Sequence, residues 1–278
     1  MARTNMQSTR VKPERSELLV LHVLRRERIS TGFVRITLGG GDIAGFAPLG
    51  FDQWFRLFLP VGGGEGALSR LPAKLDTFAY ARYLTMSKAV RPVLRNYSVR
   101  AYRPDGADGP ELDVDFVLHG SAVDGTSGPA ASWAETCAIG DAVAIIDEGI
   151  SFAPAAGVRH VRLVADETGV PAAANILASL DPDVRGTAFL EIPHSDDAQQ
   201  LTGPAGVDVQ WVVRDDHHAV PGVLAGTRAR LLPPPVERFY GWAVGESALA
   251  IAMRRHWVAA GVAKGDILFC GYWKSARR

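Results

Sequence analysis

The run Arg95-Asn96-Tyr97-Ser98-Val99-Arg100 sets a planar cation, a flat ring and a small hydroxyl almost side by side. Tyr and Val favour extended backbone, and in a strand positions 95, 97 and 99 share one face while 96, 98 and 100 share the other. A guanidinium offers in-plane donors to a phosphate, a phenol ring can lie on another ring, and a hydroxyl can bond a ring nitrogen. Those are the needs of a flavin nucleotide. An ordinary surface strand would also carry these six residues, so their weight depends on the segments downstream.

Residues 111–120 read Glu-Leu-Asp-Val-Asp-Phe-Val-Leu-His-Gly, and the alternation from Leu112 to Leu118 is that of a strand with one apolar face. Next comes Gly128-Pro129-Ala130-Ala131-Ser132-Trp133-Ala134, in which Pro129 suits the first position of a helix. The free N–H groups of such a helix start suit a pyrophosphate. Two further segments, Asp166-Glu167-Thr168 and Gly245-Glu246-Ser247, each fall where a strand ends and a helix begins, the usual ligand position in open α/β sheets. Helix capping by Asp166 or Thr168 alone would also explain the first of them. The chain has no G-x-G-x-x-G fingerprint.

These residues need elements to position them. Six short strands are expected at 18–25, 33–38, 53–59, 95–102, 111–119 and 141–147. A hairpin turn falls at 105–110, a short helix at 80–89 and another at 129–136. Residues 61–67 read as a Gly-rich loop. Together they predict a six-stranded antiparallel β-barrel over 18–153. From 154 to 278 strands at 161–165, 187–192, 208–213, 239–244 and 266–270 alternate with helices from 170 and over 246–260. That alternation predicts a mainly parallel sheet covered on both faces.

With 278 residues, 47% of them hydrophobic, the chain can build one large or two medium cores. Thirty basic and thirty acidic residues give no support for a nucleic-acid partner. Two cysteines, Cys137 and Cys270, argue against a disulfide framework, and no metal-ligand spacing is present. No apolar run approaches the ~20 residues of a membrane span, so membrane insertion is not expected. Residues 1–17 are polar without an apolar signal core, and they read as a frayed tail on a cytoplasmic protein.

The order RxYSxR, DFVLHG, GPAxxWA and GD resembles the siderophore-interacting, FAD-binding family of ferric-siderophore reductases, a branch of the ferredoxin-reductase-like flavoproteins. The resemblance runs from about Leu18 to Lys274. It implies an FAD site formed by Arg95, Asn96, Tyr97, Ser98, Asp115, Phe116, Val117, His119, Gly128, Pro129, Ala130, Ser132 and Trp133. Tyr97 would pack on the ring, and Ser98 would bond near its reactive nitrogen. ADETGVPAA and the segment at Gly245 are similar to the family's nicotinamide-nucleotide site, which implies NADPH or NADH at Asp166, Glu167, Thr168, Gly245, Glu246 and Ser247. The terminal GYWK, with Tyr272, Trp273 and Lys274, would wall the substrate pocket together with Arg56. The implied activity is reduction of a ferric siderophore. The alternatives are a reductase fed by ferredoxin, and a siderophore-binding flavoprotein that turns nothing over. One departure concerns charge. Where relatives carry Gly-Pro-x-Gly-Ser, this chain has Asp147-Glu148-Gly149-Ile150-Ser151, read as an acidic loop. Two acids there imply a neutral ferric hydroxamate as substrate rather than an anionic tris-catecholate.

Overall fold

The computed structural model describes residues 4–60, 65–119, 127–216, 219–233 and 235–275. The Gly-rich stretch at 61–64 and Gly120 lie outside the described residues. The chain forms two compact units. One comprises Lys12–Leu49 and Gln53–Gly149, and the other comprises residues 4–11, Gly50–Asp52 and the chain from Ile150 onward.

The first unit is an antiparallel sheet of β1 (Leu18–Arg28), β2 (Phe33–Gly39), β3 (Trp54–Leu59), β4 (Val93–Ser98), β5 (Ala101–Gly106), β6 (Gly109–Val117) and β7 (Ala142–Gly149). Their order is β4-β3-β7-β1-β2-β6-β5, so there are seven strands where six were expected. The run 95–102 is two strands rather than one. Val99 N donates to Gln53 O at 2.8 Å, whereas Arg100 N donates to Asp113 O at 2.9 Å. The chain therefore leaves β3 and joins β6 within one residue, and the two outermost strands are consecutive in sequence.

Alternation fills the interior of this unit. Leu21, Ile36, Leu38, Phe55, Leu57, Leu112, Val114, Phe116, Val143 and Ile145 form one buried cluster. Fully burying each such side chain stabilises by roughly 1.5–3 kcal/mol. The opposite face of β3 and β7 presents Phe58, Ala144 and Ile146 to Leu68, Leu71 and Tyr83. Tyr83 belongs to the helix Thr77–Thr85, which starts three residues before the expected one because Asp76 caps Ala79 N at 2.8 Å.

The second unit holds β8 (His160–Ala165), β9 (Arg185–Ile192), β10 (Gly206–Val213), β11 (Tyr240–Glu246) and β12 (Ile267–Trp273), all parallel, in the order β10-β9-β8-β11-β12. Helices Val170–Ser179 and Ser247–Ala259 follow β8 and β11. A further helix, Val223–Leu231, was not expected. Its buried face is Ala225, Gly226 and Ala229, which leaves no large apolar stripe to see. Residues 4–11 are not frayed. Asn5 Nδ2 donates to Ile267 O at 2.7 Å and Phe269 N donates to Asn5 Oδ1 at 3.0 Å, so this side chain covers the outer edge of β12. Among the described residues no helix is long and apolar enough to cross a membrane.

Candidate functional site

β4 ends the sheet of the first unit, with β3 its one strand partner there. Arg95 is exposed. Its Nη1 donates to Leu94 O at 2.8 Å, and among the described residues it has no carboxylate partner. The Tyr97 ring lies 4.3 Å from that of Phe116, which lies 5.6 Å from that of Trp133. Burial pushes the Tyr97 phenol up, so it stays a neutral donor. Ser98 sits opposite Trp54 and Asn96 opposite Arg56, so Tyr97 and Ser98 leave opposite faces of β4. A flat ring at the strand's edge can meet both.

The helix Pro129–Thr136 packs against β2, β4 and β6. Gly128 is its N-cap, with no side chain to satisfy the first N–H groups. A Cβ on Gly128 would stand 3.9 Å from His119 Nε2, so His119 lies beside this helix start. Ser132 Oγ donates to Ser127 Oγ at 3.1 Å, and Ala130 is buried. The exposed cation, the uncapped helix start and the row of rings together fit a flavin nucleotide. Val117 is half-buried at the end of β6.

Asp115 does not point into this group. Arg35 grips both its oxygens at 2.6 and 2.8 Å, and Arg100 approaches to 3.5 Å. It belongs to a row on one face of β6. Glu111 there is held by Arg25 and Arg103, and Asp113 by Arg103 and Thr37. Phe116 takes the other face because a strand alternates.

The acidic loop expected at Asp147 and Glu148 is the end of β7. Asp147 is buried and accepts from Gln53 Nε2 and Gly149 N, both at 2.8 Å. Glu148 pairs with Arg56 Nε at 2.7 Å. The premise of two loose acids repelling an anionic substrate is therefore wrong, because each carboxylate has a partner on β3 or just before it.

In the second unit the ends of β8, β11 and β12 meet. Asp166 is fully buried. Its Oδ1 accepts from Thr168 N at 2.9 Å and Thr168 Oγ1 at 2.5 Å, while Oδ2 accepts from Glu246 N at 2.6 Å and Trp273 Nε1 at 3.0 Å. Burial, with the Glu167 charge second, pushes its carboxyl up to about 7. Glu246 accepts from Ala248 N at the start of the next helix, and from Ser275 N and Oγ at 3.2 Å. Ser247 Oγ donates to Trp273 O at 2.7 Å. The two strand-end segments thus hold each other and the aromatic tail, where Tyr272 and Lys274 are exposed.

A buried triad here was not anticipated. Arg214 donates to Glu167 Oε1 and Oε2 at 2.9 and 3.1 Å and to Glu191 Oε1 at 2.9 Å. Glu191 also accepts from Gly222 N and Ala225 N, both at 2.9 Å. The available signal was a Glu flanked by Leu190 and Ile192 in a buried strand. Next to the triad a cleft of about 350 Å³ opens between residues 193–196 and 213–215.

The fold is ferredoxin-reductase-like. A siderophore utilization protein from T. fusca superposes with a TM-score of 0.76 at 28% identity, covering 97% of both chains. An uncharacterized protein of Mycobacterium tuberculosis is 33% identical over 94% of this chain and 91% of its own length. Ferric vibriobactin reductase ViuB of Vibrio cholerae is 27% identical over 93% of this chain and 90% of its own. Residues 22–152 match the siderophore-interacting FAD-binding domain, and residues 158–276 match the siderophore-interacting protein family. The chain belongs to the siderophore-interacting protein family.

Proposed function

We propose that this protein is an FAD-dependent reductase of a ferric siderophore that draws its electrons from a pyridine nucleotide. The observation that carries the reading is the exposed Arg95 on the edge strand, two residues from Tyr97, on a strand against which the helix with the uncapped start at Gly128 packs. The likeness to a ferric vibriobactin reductase supports a ferric chelate as substrate. When bound, FAD would accept a hydride and release electrons singly to Fe(III), lowering the hold of the chelator on the metal. Arg95 and the N–H groups after Gly128 would take the phosphates, Tyr97 would support the ring, and Ser98 would donate to its edge. Asp166 fixes the Trp273 indole, which keeps the aromatic tail in one place. The test is anaerobic. FAD-loaded protein is mixed with NADH or NADPH, then with a ferric hydroxamate and a colorimetric ferrous trap. Bleaching of the flavin followed by trapped iron is expected. Reduced ferredoxin bleaching the flavin when both nucleotides fail would replace the donor, and failure to bind FAD would end the whole reading.

A low-charge siderophore remains the proposed substrate, now for a different reason. Arg56 is neutralised by Glu148 rather than opposed by free acids. Glu148→Gln frees that guanidinium. It is expected to raise kcat/KM for a ferric catecholate about tenfold at low salt, with the gain shrinking as salt rises. No change at either salt would place Arg56 away from the substrate.

A further inference from the structure

We propose that the cleft beyond β9 and β10 is a ribose-diol site, which admits NADH and turns away NADPH. The inference rests on the pyridine-nucleotide reading above and names which nucleotide that reading involves.

Position comes first. The strand order reverses between β8 and β11, and open α/β sheets hold ligands at the carboxyl ends of strands flanking such a point. A dinucleotide whose pyrophosphate lies at the turn after β8 extends its adenosine over the next strands, β9 and β10. The cleft of about 350 Å³ lies there.

Its chemistry separates a hydroxyl from a phosphate. A 2′-phosphate needs uncommitted cations. Among the described residues Arg214 is the one Lys or Arg lining the cleft, and it is 5% exposed. Both of its terminal nitrogens already donate, to Glu167 and Glu191. Two carboxylates around one guanidinium leave the neighbourhood negative, and the exposed Asp215 adds a carboxylate to the cleft wall. A phosphate dianion is repelled by that wall. A ribose diol is suited to it, because a hydroxyl both donates and accepts. Asp215 is exposed and offers the diol an acceptor.

The decisive comparison is between ADP-ribose and its 2′-phosphate, titrated calorimetrically into the FAD-loaded protein. ADP-ribose is expected to bind at least about tenfold more tightly, with the gap narrowing as salt rises. Asp215→Lys is expected to tighten the 2′-phosphate form about tenfold while FAD content stays unchanged. Anaerobic flavin reduction by NADH and NADPH is followed in parallel. Equal or tighter binding of the phosphate form by the unaltered protein overturns the inference, as does an Asp215→Lys protein with unaltered preference. If NADPH bleaches the flavin faster than NADH, the nucleotide reading stands and this inference alone falls. If neither ligand binds and neither nucleotide bleaches, both fall together.

Discussion

Gly245→Ala is expected to destabilise the protein by about 3 kcal/mol or more. Gly245 has φ +116°, a region L side chains rarely adopt. A Cβ there would stand 2.4 Å from Asp166 Cγ and 2.5 Å from each carboxylate oxygen. Asp166 cannot retreat, since donors from the turn after β8, from β11 and from the aromatic tail hold it on both oxygens. The substitution therefore adds backbone strain to a clash with a fixed, buried group. Denaturant midpoints of the two proteins check this. A variant as stable as its parent would mean that the strand-end cluster is not packed as described.

Arg95→Ala is expected to weaken FAD binding by about 1.5–3 kcal/mol, or roughly ten- to a hundred-fold in Kd. The side chain is exposed and among the described residues bonds only a neighbouring carbonyl, so its removal should leave the denaturant midpoint unchanged. Arg95→Lys keeps the charge but loses the fork, and it should fall between the two. Unaltered FAD affinity in the alanine protein would move the phosphate site elsewhere, even if the protein still bound flavin.

The contrast between these two residues shows what a sequence can reveal. Arg95 stood out because Tyr97 and Ser98 are its neighbours in the same short run. The helix Pro129–Thr136 was legible to the residue, because Gly128 and Pro129 mark its start locally. Gly245 was singled out, yet its reason lies in Asp166, far away along the chain. Asp147 and Glu148 looked like a loop because they stand where relatives carry Gly-Pro-x-Gly-Ser. Gln53 and Arg56, which make them strand residues, are brought in only by the sheet. Val99 and Arg100 carry no local mark of the partner change that divides β4 from β5. Arg214 stayed hidden for the same reason, since both of its carboxylates come from other strand ends.

The early residues that cover β12 give biosynthesis an awkward order. Asn5 leaves the ribosome 262 residues ahead of Ile267, the residue whose carbonyl it meets. Between those events the whole first unit is delivered and can close on its own. The parallel sheet must wait, because Gly50–Asp52 and residues 4–11 arrive early while its outermost strand arrives last. Until β12 emerges, a nascent chain therefore carries a complete first unit and an unfinished second one. An unfinished parallel sheet offers its open edges to any other extended chain nearby.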